Sequence, residues 1–169
     1  QFDLDADTML YASYTTGFKA GGFDARANVI GSFEFEEEKT TSYEVGFKTR
    51  FADGAAELNM AFYYTDYEDL QVSQFDGKLG FNVGNAKETI VQGFELDGRW
   101  ALAEGLVMSY GAAYLDHEFT DFSNGNCYGG QTPDGAVIDG VTLCDYTGKQ
   151  GVYTPEVTAN LGFDYSRPV

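Results

Sequence analysis

Residues 41–65 read TSYEVGFKTRFADGAAELNMAFYYT, and they alternate on both sides of a short glycine turn. From Thr41 to Arg50 one set is Thr41, Tyr43, Val45, Phe47 and Thr49, and the other is Ser42, Glu44, Gly46, Lys48 and Arg50. From Ala56 to Thr65 the apolar set is Ala56, Leu58, Met60, Phe62 and Tyr64, opposite Glu57, Asn59, Ala61, Tyr63 and Thr65. Successive side chains of a strand point to opposite faces, so a period of two predicts strands with one apolar and one polar face. Ala52-Asp53-Gly54 between them predicts a tight turn, and the unit is a hairpin.

The same pattern recurs outward in both directions. Residues 90–102 set Ile90, Phe94, Leu96, Trp100 and Leu102 against Gly93, Glu95, Asp97 and Arg99, with Gln92 a polar intruder on the apolar side. Leu106, Met108, Tyr110, Ala112 and Tyr114 alternate with Ser109, Gly111, Ala113 and Leu115. Val157, Ala159, Leu161, Phe163 and Tyr165 alternate with Thr158, Asn160, Gly162 and Asp164, and a weaker stripe runs from Leu10 to Phe18. The connections alternate as well. Long segments at Ala20 to Lys39 and at about Thr120 to Val152, and a turn around Asp76 and Gly77, fall on one side; tight turns at Ala52-Asp53-Gly54 and Ala103-Glu104-Gly105 fall on the other. Six stripes joined in this way predict an antiparallel up-and-down meander of about six long strands.

A soluble β-sandwich alternates too, so stripe length and stripe ends have to separate the readings. Each stripe is about nine to eleven residues, which at ~3.3 Å per residue and a tilt near 40° spans roughly 25 to 28 Å, the height of an outer-membrane apolar band. Sandwich strands are usually nearer five or six residues. Aromatics gather at the stripe ends: Phe18, Tyr43, Tyr64 and Tyr114 toward the long loops, Trp100 and Tyr165 toward the tight turns. Tyr and Trp suit a lipid–water boundary because the ring enters the apolar layer while the OH or NH stays wet. Long loops on one side and short turns on the other complete the expectation of a membrane β-barrel wall. The rival reading is a secreted β-sandwich binding or adhesion module.

Composition agrees with an all-β chain and narrows its function. Gly 21, Tyr 12 and Phe 14 against Pro 3 favour strands and turns over helical cores. A formal net charge of -17 repels phosphate backbones, which argues against a nucleic-acid partner. No basic region followed by a long apolar run marks a signal peptide or transmembrane helix in the first thirty residues, so any membrane crossing is by strands. One histidine, no nucleophile elbow, no phosphate loop and no metal-ligand spacing argue against an enzyme, a cofactor or a metal site. His117, between Asp116 and Glu118, reads as a solvated strand end, and Glu36-Glu37-Glu38 as a solvated loop.

Cys127 and Cys144 lie in one polar, Gly-rich segment without the spacing of a zinc site. A loop disulfide in an oxidising compartment is the expected state, with two free thiols as the alternative. The segment they enclose is expected to have too little apolar content to fold on itself.

The ordered series of strand and loop segments resembles the later barrel strands of the TonB-dependent receptor family. Tyr14 to Phe23, YTTGFKAGGF, is similar to the segment these receptors carry before a long surface loop. Phe35 to Lys48, FEEEKTTSYEVGFK, resembles their recurrent segment in which Phe and Pro-Glu precede Tyr-Glu-x-Gly-x-Lys, with Glu37 where proline is usual. Asn59 to Val72, NMAFYYTDYEDLQV, and Asn85 to Gly98, NAKETIVQGFELDG, resemble the next hairpin. The resemblance implies a segment of a 22-stranded transmembrane barrel in the bacterial outer membrane. The whole receptor would be an energy-coupled importer of a scarce ligand such as siderophore-bound iron, cobalamin or a glycan. Its partners would be outer-membrane lipid, a plug domain and, through it, the inner-membrane TonB complex. Residues 1–169 are then one partial barrel domain, with the plug and remaining strands outside this sequence. Glu44, Lys48, Glu57, Glu95, Asp97 and Arg99 are expected to form a lumen-facing polar wall, suited to mutual pairing and plug contact. Tyr, Asn and Asp of the long loops are the candidates for ligand contact.

Overall fold

The computed structural model describes residues 1–26, 33–75, 80–138 and 140–167. In chain order the strands are β1 (Phe2–Asp3), β2 (Thr8–Lys19), β3 (Gly22–Phe23), β4 (Glu34–Phe35), β5 (Glu38–Phe51), β6 (Ala56–Phe75), β7 (Phe81–Ala103), β8 (Leu106–Asp121), β9 (Val137–Ile138), β10 (Val141–Thr142) and β11 (Val157–Tyr165). One antiparallel sheet has the order β1-β2-β5-β6-β7-β8-β11, so every long strand lies beside the long strand before it. The pairs β3–β4 and β9–β10 are two-residue hairpins inside the long connections. The chain is thus a meander of six long strands with a short stub, and no Greek-key crossover occurs among the described residues. A sandwich would need a second large sheet against the apolar face, and the other two described sheets have two strands each.

Register turns the one-dimensional alternation into two surfaces. Phe47, Met60, Leu96, Ala112 and Ala159 follow one another from strand to strand along one row, and Lys48, Asn59, Asp97, Gly111 and Asn160 along the next. Directly opposed residues share a face, so the first row lies on an apolar surface and the second on a polar one. The apolar surface is largely bare: Leu10, Val45, Phe62, Trp100, Leu161 and Phe163 are all exposed. Soluble monomers rarely leave so large an apolar patch open, whereas a strand wall in lipid must. Its rings pack across strands, Tyr14 on Tyr43 at 5.2 Å, Phe62 on Phe94 at 6.0 Å and Phe94 on Tyr114 at 6.1 Å, with Phe51 against Trp100 at 6.2 Å toward the tight turns. Each such pair adds roughly 0.2 to 1 kcal/mol to the sheet.

Tight packing also explains particular glycines. Gly46 lies opposite Tyr11 and Gly98 opposite Tyr110, and each tyrosine ring covers its glycine where a Cβ would stand. The Tyr110 hydroxyl then reaches the Glu57 carbonyl at 3.0 Å, so the phenol on the lipid side is not left without a partner. The tight turn between β5 and β6 uses left-handed backbone at Ala52 (φ 53°), Asp53 (φ 55°) and Gly54 (φ 82°). The turn expected around Asp76 and Gly77 lies outside the described residues.

Strand length departs from the expected nine to eleven residues. β6 has 20 residues and β7 has 23, and their pairing continues to Phe75 opposite Phe81. The apolar stripe marks only the part of a strand that meets lipid, while the ladder runs on toward the long loops. Alternation also changes there. Below, odd-numbered β6 residues share the polar face with Phe119 of β8, yet above it Leu70 and Val72 pack on Phe119. Asp69, with φ 54°, and a bulge between Glu88 and Thr89 sit at this switch. A left-handed residue and a bulge are the two local devices that redirect side chains across a sheet.

Two substitutions of equal size and charge separate the faces. Leu96→Arg, on the apolar row, is expected to destabilise the folded barrel by about 2 to 4 kcal/mol in lipid, and Ala61→Arg, on the polar side, by much less. Denaturant unfolding of the reconstituted barrel measures both, and equal costs would contradict the assignment of faces.

Candidate functional site at the loop end

The six residues expected on the polar wall do share one face, because their register partners form continuous rows across β5, β6 and β7. They do not form one network. Arg99 Nε donates to Glu57 Oε2 at 2.9 Å, the single salt bridge among the six. Asp97 accepts instead from Asn59 Nδ2 at 2.9 Å. Lys48 stands opposite Asn59 with its ammonium 5.8 Å from the centre of the Tyr11 ring. Glu95 lies between Ala61 and Ala113, and Glu44 between Ser13 and Tyr63. An exposed pair such as Glu57–Arg99 is screened by solvent, so this face contributes little to stability and leaves its charges open.

At the other end of the strands the two long connections are fastened by side chains that sequence reading passed over. The first returns through β3 and β4 and is tied to β6 and β7. Gln71 Nε2 donates to the Ala20 and Glu36 carbonyls at 3.0 Å each, and its backbone NH donates to Glu38 Oε2 at 2.9 Å. Asn85 Oδ1 accepts from the Glu36 NH at 2.9 Å, while Asn85 Nδ2 donates to the Asp69 carbonyl at 2.6 Å. Asp24 is buried, and its carboxylate accepts from the Arg26 NH at 2.9 Å and Nε at 3.2 Å, and from the Val83 NH at 3.0 Å. These donors, the Arg26 backbone first, hold the Asp24 carboxyl below the usual aspartate range. None of these residues stands out in a sequence, since Asp, Gln and Asn in loops are ordinary.

The connection from β8 to β11 carries the disulfide between Cys127 and Cys144, and aromatic residues on either side of the bridged stretch pack on the end of β8. Phe122 stacks on Phe119 at 5.0 Å and on Tyr146 at 5.4 Å, and Phe119 meets His117 edge-on at 5.0 Å. Phe119 is 9% and Phe122 5% exposed, and with Ala86 they form the one buried cluster of the described residues. His117 and Phe119 of β8, Phe122 and Tyr146 thus form one line of tilted and edge-on rings beside the bridged stretch. Backbone bonds between Gly125 and Cys144, in both directions, and between Ala136 and Leu143 close the loop on itself.

This aromatic line floors a cavity of about 640 Å3 that opens at the loop end of β6 and β8. Leu70 to Phe75 form one wall, His117, Phe119 and Phe122 the second, and Asn126, Tyr128, Tyr146, Gln150, Gly151, Val152 and Thr154 the rim. His117 is part of the site rather than a free strand end. Its Nδ1 accepts from the Gly151 NH at 3.0 Å, which leaves Nε2 as the donor of a neutral ring. The flanking acids face away from it, because neighbours on a strand point oppositely: Asp116 accepts from Gln92 Nε2 at 3.0 Å on the apolar side. No group of His, Cys, Asp and Glu able to hold a metal occurs among the described residues. The Tyr146 hydroxyl donates to the Asn126 carbonyl at 2.7 Å, and burial, with the nearby Tyr128 phenol next, pushes its pKa up, so it stays a neutral donor.

Comparison with known proteins gives one consistent result. The family model described as TonB dependent receptor-like, beta-barrel matches residues 1–169. A probable TonB-dependent siderophore receptor, PiuA of Acinetobacter baumannii, is 29% identical over 163 residues, covering 92% of this chain and 20% of the relative. The crystal structure of PiuA superposes with a TM-score of 0.66 at 25% identity, over 97% of this chain and 22% of that one. The ferric yersiniabactin uptake receptor FyuA of Yersinia pestis gives a TM-score of 0.69 at 21% identity, over 97% and 21%. The chain therefore spans about a fifth of the length of the proteins it matches.

Two measurements check the fastenings. The lowered Asp24 pKa means its clamp contributes fully above the ordinary aspartate value of about 3.9 and is lost only as pH falls through the lower folded-state value. Hydrogen exchange should therefore find the Val83 and Arg26 amides protected in mildly acidic solution, and Asp24→Asn should speed their exchange at neutral pH. Replacing Cys127 and Cys144 together by Ala should cost the loop about 3 kcal/mol, on the chain-entropy account of a closed loop of this length. Limited proteolysis then cuts between residues 122 and 152 while the strands stay intact, and an unchanged cleavage rate would refute the role of the bridge.

Proposed function

We propose a transport role for this chain, which belongs to the TonB-dependent receptor β-barrel family. It is an outer-membrane β-barrel wall, with its apolar rows against lipid and its polar rows toward the lumen. Residues 1–169 act as one partial barrel domain of a longer receptor, which imports a ferric siderophore rather than catalysing a reaction. Within that receptor the Glu44, Lys48, Glu57, Glu95, Asp97 and Arg99 face lies against a plug domain, through which an inner-membrane TonB complex supplies the energy. The cavity above the Phe119–Phe122–Tyr146 line forms part of the mouth that receives the ligand.

The observation that carries this reading is the end-to-end family match, joined to a sheet whose two faces differ as a lipid-embedded, water-lined wall requires. A siderophore is favoured over cobalamin or a glycan because the relatives that match over most of the chain are named as siderophore receptors. Full-length receptor lacking residues 126–149 is expected to reach the outer membrane and fold, because the sheet does not depend on that loop, but to lose growth on a ferric siderophore as sole iron source. Growth equal to that with the intact receptor would overturn the placement of the mouth.

A further inference from the structure

The cavity at the loop end is unlike the surface around it. Its lining comprises Leu70, Gln71, Val72, Ser73, Gln74, Phe75, His117 and the aromatic and amide residues that face them, and not one of them is Asp, Glu, Lys or Arg. In a chain with 37 charged side chains, 27 acidic and 10 basic, a lining of sixteen residues with none is a selective arrangement. Several polar groups of the lining are already engaged: Asn126 donates through Nδ2 to Asn82 and to the Phe75 carbonyl, its NH donates to Gln74 Oε1, and Gln150 donates to Glu156 behind the lining. What remains open is His117 Nε2, the Ser73 hydroxyl and the phenol of Tyr128, which is 62% exposed.

Around the cavity the charge is negative. Asp69, Asp145 and Glu156 adjoin lining residues in the sequence or by hydrogen bond, while of the bases beside the lining Lys87 is taken by Asp121 and Lys149 follows Tyr146 and Thr147 on the same loop. A highly anionic ligand entering here would lose water to a lining that holds no cation, in a chain of net charge -17, both of which cost free energy. A neutral one loses nothing to the rim and gains aromatic contact from Phe75, Tyr128 and the ring line beneath.

We propose that this cavity selects the uncharged class of ferric chelate, holding an apolar or amide-bearing face against Phe75 and Tyr128 and donating the His117 Nε2–H to a ligand carbonyl oxygen. The inference rests on the siderophore reading above. Three hydroxamates, each singly charged, neutralise Fe(III), whereas three catecholates, each doubly charged, leave a trianion, so the two chelate classes differ in the property the cavity senses.

Full-length receptor in detergent supplies the test, with quenching of intrinsic fluorescence by a neutral ferric tris-hydroxamate and by a trianionic ferric tris-catecholate. The neutral chelate is expected to bind at least about tenfold more tightly, roughly 1.4 kcal/mol. Tyr128→Ala should weaken the neutral chelate several-fold. Val152→Lys, at an exposed rim position, should narrow the gap by strengthening the trianion. Equal or tighter binding of the trianion by the unmodified receptor overturns the inference and leaves the siderophore reading standing. Failure of both variants to change either affinity overturns the placement of the ligand in this cavity. Failure of both chelates to bind overturns the siderophore reading itself and this inference with it.

Discussion

Inside a hydrocarbon layer a backbone NH or carbonyl without a protein partner costs several kcal/mol, and that cost governs the rest of this structure. A strand cannot satisfy its own groups, so each must lie in full register against a neighbour, and the shortest way to arrange that is to pair with the strand just before it. The ladders from Thr8 opposite Thr49 to Tyr165 opposite Leu106, interrupted by register shifts near the two ends of the β7–β8 pair, follow from this requirement. Once the ladder is fixed the side chains have only two directions, and the two directions meet different solvents. The apolar rows through Phe47 and Leu96 and the polar rows through Lys48 and Asp97 are consequences of backbone pairing, with side-chain contacts adding tenths of a kcal/mol to a scaffold already determined.

That hierarchy explains how much could be read from sequence. A period of two, set by the ladder, survives in the amino-acid order, so the hairpin at 41–65, the nearest-neighbour meander and the six residues of the polar face were all legible. The upper halves of β6 and β7 were not, because outside lipid the two faces no longer meet different solvents and the alternation loses its contrast. The switch at Asp69 was invisible for a related reason: a left-handed aspartate leaves no periodic trace, and its neighbours Leu70 and Val72 look like a continuation of the stripe they in fact leave.

The fastenings at the loop end were hidden more deeply. Asp24, Gln71 and Asn85 act through backbone groups 16 to 59 residues away, and a backbone partner carries no sequence signature. His117, expected at a solvated strand end, lies in the cavity lining instead, and the partner that orients its ring is the NH of Gly151, 34 residues on. Residues adjacent in sequence point to opposite faces of a strand, so the acids beside His117 do not meet it. The same geometry limited the reading of the polar wall: residues on one face were identified, but only register could say that Arg99 meets Glu57 while Lys48 meets Asn59.

Stability and recognition are consequently carried by different parts of the chain. The wall is held by backbone pairing in lipid and tolerates exchange among apolar residues, so it asks nothing of the loops. The loops, outside lipid, are ordered by a disulfide, by a buried aspartate holding three NH groups and by a line of rings from His117 to Tyr146, and they fasten to the strand ends through Val83, Gln71 and Asn85. Together these local devices give the cavity, walled by the ends of β6 and β8, a defined shape. A loop built this way can change its lining residue by residue while the sheet remains the same, which is the arrangement a scaffold needs if one wall is to serve ligands of different charge.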